Sequence, residues 1–582
     1  MPGHVWKHVL DVEPNRHLQQ LGEISESDAV LTRTYFSDAH MKAAHKILRW
    51  MEQAGMTAYI DAIGNVHGVV EGSNPELGEL LVGSHYDTVV DGGKFDGAMG
   101  LLLAISAVKA VHLEALKRAN KLSMLQWAID NVSPDEDIDL PIRAVKGLLS
   151  GSIRVVGFCD EEGIRFKSTF LGSRAIAGTL LKHNQLAARG ADGRTLEEVL
   201  ATSGGLTGVV VPNPTEAVQA LALKPGSVRH YVEFHIEQGP QLEAAGLALG
   251  VVSGIAGQTW LAVSVEGVQN HGGTVPMPLR KDPMAAAAEA ITAVEGTCLG
   301  SSDALGELSV EGEALVCTVG SIKVHPNQVR HENRLTVTDI RSNTSQTWSN
   351  LVKAGIMCLG EMAVAGEALV CTVGSIKVHP NQVNIIPKWV NFTVDVRCRR
   401  EEFRQEVIAL AEARIQAVCA RRGVNCSVTR THNAPPVHSD GRLVSKLQEA
   451  VRNAQPMIQQ LAAAAEDSSS SSSSSSNACS ASGGSDSSSC TAGNAGSISS
   501  FRSTQSEVPV LLSGAGHDAM AIADITKIGM VFVRCAGGVS HNPAEYVDPR
   551  DVAAATAAFA TFMEMDVLDW EQHSDDSYKP VS

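Results

Sequence analysis

Four short apolar runs scattered along the 582 residues constrain this chain more than any other feature: Leu80–Gly83, Ile153–Cys159, Tyr231–Phe234 and Met530–Cys535. Each has the length and β-branched or aromatic content of a buried strand. Gly97 to Val111 reads as a helix packed on them. Strands that alternate with helices build an α/β layer around a mostly parallel sheet, because parallel neighbours need a crossover.

From Gln258 to about Arg430 the texture changes. Thr259–Glu266 and Trp389–Arg397 alternate apolar and polar residues, while Asp282–Glu295 and Glu401–Arg421 have the pattern of amphipathic helices. Alternation implies a sheet with one wet face and helices on the other. The α/β character resumes near Pro509. The expected organisation is therefore an α/β domain formed by residues 1–257 and 431–582, its mostly parallel sheet flanked by helices, with a smaller α+β domain, 258–430, inserted in it.

Three segments stand outside this pattern. Ala462–Ser506 is rich in Ser, Ala and Gly and holds nine consecutive serines; it cannot bury apolar surface and is expected to be a disordered loop. His112–Ser150 reads as an insertion after the helix. The eighteen-residue stretch GEALVCTVGSIKVHPNQV occurs twice, at 312–329 and 366–383. Two copies are too few for a solenoid, and both cannot take one place in a sheet. Only the second runs on through Asn384 into WVNFTVDVR, so it is expected to hold the native position, with the first as a loop or displaced hairpin.

Composition excludes some function classes. The net charge of −17 argues against a nucleic-acid binder, which needs a basic face. No run of 18 apolar residues occurs, so no segment is expected to span a bilayer. Met1–Leu21 lacks the basic start and apolar stretch of a secretory signal, which makes the cytoplasm the default location. The 11 cysteines are scattered, odd in number and without a CxxC pair; they are expected as free thiols.

The chemistry lies where the apolar runs end, which is where open α/β sheets place their sites. Gly83-Ser-His85-Tyr-Asp87 is followed by Gly92-Gly-Lys-Phe-Asp96-Gly97. His85 is a candidate metal ligand. Asp96, on a glycine-rich loop, could bridge two cations with its two oxygens, and Asp87 is placed to fix the tautomer of His85. By itself the pair His85/Asp87 fits a turn before a capped helix equally well. Cys159-Asp160-Glu161-Glu162 puts three acids in a row, which repel one another unless cations or protons offset them. Adjacent glutamates supply one ligand and one free base. His235 in FHIEQGP and His541 in GGVSHNPAE again follow β-type runs. The candidate set is His85, Asp96, Glu162, His235 and His541. Its nitrogen and oxygen donors suit Zn²⁺ or Mn²⁺. His517 and Asp518, in GAGHDAM after the apolar run Val508–Leu512, are candidates for the site wall, with His517 as a substrate contact; a structural tight turn explains them equally well.

The stretches GSHYDTVVDGGKFDGAMG, CDEEGIRFKSTFLGS, VEFHIEQGP, NHGGTVPMPLRKDPM and VRCAGGVSHNPAEYV together resemble the M20-type metallopeptidase and amidase family. Within it the chain resembles the branch that hydrolyses carbamoyl and ureido groups, and GIAGQT, LVCTVG and SGAGHDAMA are similar to the allantoate-cleaving members found in plants. The resemblance implies a catalytic domain holding two divalent metal ions, with Mn²⁺ favoured over Zn²⁺, and a lid domain that makes a homodimer. It implies His85, Asp96, Glu162, His235 and His541 as ligands and Glu161 as general base. His271, reaching across from the partner's lid, is implied as the oxyanion donor, and Gln238, Asn384 and Arg397 as contacts to a small ureide. Arg330 stands where the first repeat copy would need that asparagine. Plant members of the branch enter the endoplasmic reticulum.

Overall fold

The computed structural model describes residues 3–568 apart from 122, 124–132, 134, 205–207, 299–314, 320–321, 326–369, 374–375, 378–384 and 471–506. The chain forms two compact units, one of residues 1–255 and 437–582, the other of residues 256–436.

The larger unit is built on a nine-stranded sheet. Its strands are β1 (Thr57–Ile60), β2 (Val66–Val70), β3 (Glu79–His85), β4 (Ser152–Phe158), β5 (Val228–Ile236), β6 (Leu249–Ile255), β16 (Val437–His438), β17 (Val510–Ser513) and β18 (Ile528–Val533). They lie in the order β1-β2-β4-β3-β5-β18-β6-β16, with β17 also paired to β6. The centre, β4-β3-β5-β18, is parallel, and the flanks are antiparallel apart from β17 on β6. All nine residues of β5 and all six of β18 are buried, as expected of parallel strands covered on both faces.

Helix Ala98–Arg118 packs on β3 and β5, and Gly441–Ser470 packs on β6 and β18. Helix Pro549–Val567 lies against both of those helices. A Cβ on Gly100 would sit 1.8 Å from the carbonyl oxygen of Phe234, so glycine there sets how closely the helix approaches β5. Contrary to the sequence expectation, Ala98–Arg118 is long and apolar enough to cross a membrane, but 94% of its apolar window is buried inside this unit.

Three local expectations change. The helix expected over 97–111 continues to Arg118, so the first residues of the supposed insertion are helical; Glu114 pairs with both Lys117 and Arg118 on that last stretch. Helix Gly441–Ser470 runs into the segment expected to be a loop from Ala462, where four alanines favour continuation; residues 471–506 lie outside the described residues. The run 508–512, expected to be buried, becomes β17, which pairs only with β6 among the described strands and leaves Val510 exposed.

The smaller unit pairs β7 (Gly257–Glu266) antiparallel with β14 (Trp389–Cys398) and β15 (Asn425–Ala434). Leu261, Val263 and Val265 of β7 and Val390, Phe392, Val394 and Val396 of β14 face helices Pro283–Cys298 and Glu401–Arg422. The intervening polar residues face out, as the alternation requires. Two short strands, β8 (Asn270–His271) and β13 (Ile385–Ile386), form a separate ladder in which His271 opposes Ile385.

The repeat behaves differently from expectation. Strands of the first copy, β9 (Leu315–Val319) and β10 (Ile322–His325), lie beside β14. Those of the second copy, β11 (Val370–Val373) and β12 (Ile376–Lys377), pair in parallel with the first, each residue opposite its own duplicate, Val316 to Val370 and Lys323 to Lys377. The two copies offer β14 identical side chains, so the sequence pattern does not choose between them. The cysteine expectation is also corrected: Cys419 and Cys426 are joined by a disulfide. Gly423, at φ 64°, turns the helix into β15 and brings their Cα atoms to 6.1 Å, within disulfide reach.

Candidate metal centre

Because β4, β3, β5 and β18 are parallel neighbours, their carboxyl ends share one edge of the sheet. His85 ends β3 and His235 is the penultimate residue of β5; Asp160, Glu161 and Glu162 follow β4, and His541 lies on the loop after β18. Asp96 joins them from the loop that leads into helix Ala98–Arg118.

Asp96 organises the site. His235 Nε2 lies 3.2 Å and His85 Nε2 3.8 Å from its Oδ1, while His541 Nε2 lies 3.2 Å from its Oδ2. His541 Nε2 is also 3.3 Å from Glu162 Oε1. The ligand atoms of His85, Asp96 and His235 fall within 4.8 Å of one another, and so do those of Asp96, Glu162 and His541. Two donors to one ion, each about 2.1 Å from it, stand roughly 3–3.5 Å apart. The spacing therefore fits two cations that share Asp96. Its Oδ1 is buried with no aligned hydrogen-bond donor, a lone pair left over for a metal. Glu233, His235 and His517 form another close group. There Glu233 already accepts from Ser84 Oγ, Tyr231 Oη and the Ala519 amide, and His517 lies 2.7 Å from Ser513 Oγ.

The electrostatics point the same way. Asp87, Asp96, Asp160, Glu161, Glu233 and Asp518 are all buried, facing the site's imidazoles and the buried Arg33 guanidinium near Asp87. Burial, with the charges of Glu162 and Asp518 adding and that of His85 opposing, pushes Glu161 well above the usual carboxylate range. Burial and neighbouring carboxylates also raise Asp160 and Asp518. Burial works against ionisation of Asp96 too, but His235 and His541 hold it well below its ordinary value. An excess of buried carboxylates is costly without compensating cations.

The remaining sequence candidates are distributed as follows. Asp87 lies 3.4 Å from His85 Nδ1 and accepts from the main-chain amides of Glu161 and Glu162. It thus orients the histidine and also holds the glutamate turn. Glu161 Oε2 is 4.0 Å from His85 Nε2. Gln238, at φ 56°, donates to Asp96 Oδ2 at 3.0 Å and to Ser540 Oγ at 3.1 Å, so its amide is turned onto the Asp96 carboxylate. His517, expected to contact substrate, is only 1% exposed and packs edge-on against His235 at 4.5 Å, which makes it a wall behind that ring. In the smaller unit His271 is exposed on β8. Arg397 donates to Asp395 Oδ2 through Nε and Nη2, at 3.0 and 2.8 Å. Asn384 lies outside the described residues, one position before Ile385.

Sequence reasoning did not find Ser540 and Glu545. Ser540 Oγ is 2.8 Å from Asp96 Oδ2, and Glu545 accepts from the amides of Phe95 and Asp96. The available signal was the paired glycine at Gly93, whose Cβ would lie 2.2 Å from Glu545 Oε1.

A site with paired histidines and carboxylates around a shared aspartate, at the carboxyl edge of a parallel sheet, defines a metal-dependent hydrolase. Residues 142–475 match the sequence profile of Peptidase family M20/M25/M40, and the chain belongs to that family. It is similar to allantoate deiminase 1 of Glycine max, 36% identical over 564 residues, covering 96% of this chain and 90% of that protein. It is also similar to an N-carbamoyl-L-amino-acid amidohydrolase of Pseudomonas sp. (strain NS671), 30% identical over 93% of this chain and 94% of that one. The fold matches the crystal structure of AtUAH in complex with (S)-hydroxyglycine, with a TM-score of 0.62 at 24% identity, over 95% of this chain and 96% of that chain.

Proposed function

We propose that this chain is an amidohydrolase that cleaves a ureido group of allantoate, giving ureidoglycine, ammonia and carbon dioxide. The observation that carries the proposal is the placement of the two Asp96 oxygens, one toward His85 and His235, the other toward His541. Glu161 stands beside them, its Oε2 4.0 Å from His85 Nε2. The 36% identity to the soybean allantoate deiminase supports the substrate.

Ureido carbonyls are poor electrophiles because both nitrogens donate into them. Divalent cations, of which we infer two per subunit with Mn²⁺ favoured, supply a water acidified from about 15.7 toward ~7 and a polarised carbonyl when bound. Glu161 takes the proton of the attacking water and hands it to the leaving nitrogen. Its buried, carboxylate-rich surroundings raise its proton affinity, which suits an acid that must protonate a departing amine. Asp87 keeps His85 and the Glu161–Glu162 turn in register throughout. By the family resemblance, Arg397 holds the substrate carboxylate with its planar fork, Gln238 and Asn384 hold the substrate, and His271 steadies the developing oxyanion. In the same reading the chain is a homodimer and His271 serves the partner subunit's site.

A second reading, hydrolysis of N-carbamoyl amino acids, is favoured by the 30% identity to the Pseudomonas enzyme. Purified protein offered allantoate and N-carbamoyl-β-alanine side by side separates the two. Ammonia release from allantoate at the higher kcat/KM is expected; turnover of the carbamoyl compound alone would refute the allantoate assignment.

A further inference from the structure

The loop that carries His541 and the loop that carries Asp96 are joined by one side chain. Glu545 Oε1 accepts from the main-chain amides of Phe95 at 2.8 Å and Asp96 at 3.0 Å. Its Oε2 lies 3.2 Å from Ser540 Oγ, the hydroxyl that also reaches Asp96 Oδ2 at 2.8 Å. The carboxylate therefore touches the backbone of the shared aspartate directly and its side chain through one hydroxyl.

The loops are shaped around this contact. Gly93 comes so close that a Cβ would fall 2.2 Å from Glu545 Oε1 and 2.5 Å from Glu545 Cβ. On the other side, Glu545 N donates to the Asn542 carbonyl at 3.0 Å and Ala544 N to Asn542 Oδ1 at 2.9 Å, a tight turn directly after His541. His541 itself has φ 55°, a left-handed conformation rare in residues other than glycine. That conformation needs the turn to be held.

Glu545 is 4% exposed, and its hydrogen-bond partners among the described residues are amides and a hydroxyl, with no cation. Burying a carboxylate without a cation destabilises a fold relative to an apolar side chain of similar size. The place of Glu545 here is to accept from two buried main-chain amides and so to fix the geometry of the loop.

We propose that Glu545 is a positioning residue for the metal centre. It sets where the Asp96 carboxylate stands relative to His541, so that the two oxygens of Asp96 can serve two cations at once. The proposal rests on the reading of this site as a metal centre. Outer partners of metal ligands typically contribute about 10–100-fold in affinity, and this one acts on the ligand that both ions share.

The test uses full-length protein, stripped of metal and titrated with Mn²⁺ in a calorimeter, with thermal midpoints recorded before and after loading. Wild type is compared with Glu545→Ala, Glu545→Asp and Glu545→Gln. Aspartate keeps the charge but falls one methylene short of the two amides; glutamine keeps the length and an oxygen to accept from them. Glu545→Ala and Glu545→Asp are expected to lose about 10–100-fold in Mn²⁺ affinity, with lower metal-free midpoints, because the amides of Phe95 and Asp96 lose their acceptor, and a smaller rise on loading. Glu545→Gln is expected to recover most of the affinity. Wild-type affinity in Glu545→Asp would overturn the proposal even if Glu545→Ala failed to fold. A loss in Glu545→Gln as large as in Glu545→Ala would overturn it as well, because then an acceptor of the right reach is not what positions Asp96. If wild type itself takes up no Mn²⁺, it is the metal-centre reading that fails, a result distinct from any difference among the variants.

Discussion

Gly97 faces the imidazole of His85 so closely that a Cβ on it would lie 2.3 Å from the ring atoms Cε1 and Nε2. Its φ of 62° is one that L side chains rarely adopt. The glycine just after Asp96 thus makes room for the His85 ring. Gly97→Ala is expected to tilt His85 away from Asp96 and to strain the start of helix Ala98–Arg118. Mn²⁺ uptake should fall at least tenfold and the thermal midpoint should drop by several degrees, both measurable on purified protein. An alanine variant that binds metal as wild type does would show that the ring has slack.

Glu161 Oε2 lies 4.0 Å from His85 Nε2 and in the proposed reaction is base and not ligand, so its loss should separate chemistry from binding. Glu161→Gln keeps the shape and removes the proton acceptor. We expect kcat on allantoate to fall by roughly 10²–10⁴ while Mn²⁺ stoichiometry is preserved. Equal loss of metal and turnover would instead make Glu161 a ligand.

Arg397 meets Asp395 through two nitrogens, so its guanidinium is oriented before any ligand arrives. Arg397→Lys retains the charge and loses the fork. The expected effect is a rise of roughly ten- to hundredfold in KM for a carboxylate-bearing ureide, with a smaller change in kcat. Steady-state kinetics on allantoate measure both; an unchanged KM would remove Arg397 from substrate binding.

His40 and His112 are fully buried and neutral. Burial lowers each from 6.5 to about 4, against opposing contributions from Asp87 and the Cys159 carbonyl at His40 and from the Ala54 carbonyl at His112. Between pH 6.5 and 4 the unfolded chain binds protons that the folded one refuses. Their contribution to stability is therefore complete above about pH 6.5, declines as the pH falls, and is gone below about 4; each is worth on the order of 3 kcal/mol at most. In metal-stripped protein the urea midpoint should fall between pH 7 and 5, and it should fall less in His112→Gln. Identical slopes in the two proteins would mean that His112 is not a neutral group in the fold.

The larger architecture was legible because parallel strands are apolar on both faces, and the cluster of candidate ligands was legible because its members stand where such strands end. What stayed hidden was mostly polarity satisfied inside the fold. Strand β5 was read as Tyr231–Phe234 but runs from Val228 to Ile236. Arg229 is accommodated by an ion pair to Asp566, which also lies 3.1 Å from His230 Nε2, and Glu233 by Ser84 and Tyr231, partners up to hundreds of residues away. Glu545 was hidden for the same reason: its role depends on Phe95 and Asp96, some 450 positions earlier. The place of the two repeat copies could not be read because identical strands carry identical patterns.

The central claim is that five side chains grip a pair of cations which Asp96 joins. Ammonia release from allantoate by metal-stripped protein, followed as Mn²⁺ is added back, tests it most directly. Activity absent at the start and rising to a plateau at about two equivalents per chain, with Asp96→Asn silent throughout, is the predicted result. Full activity before any metal is added, or a plateau that Asp96→Asn also reaches, would contradict it.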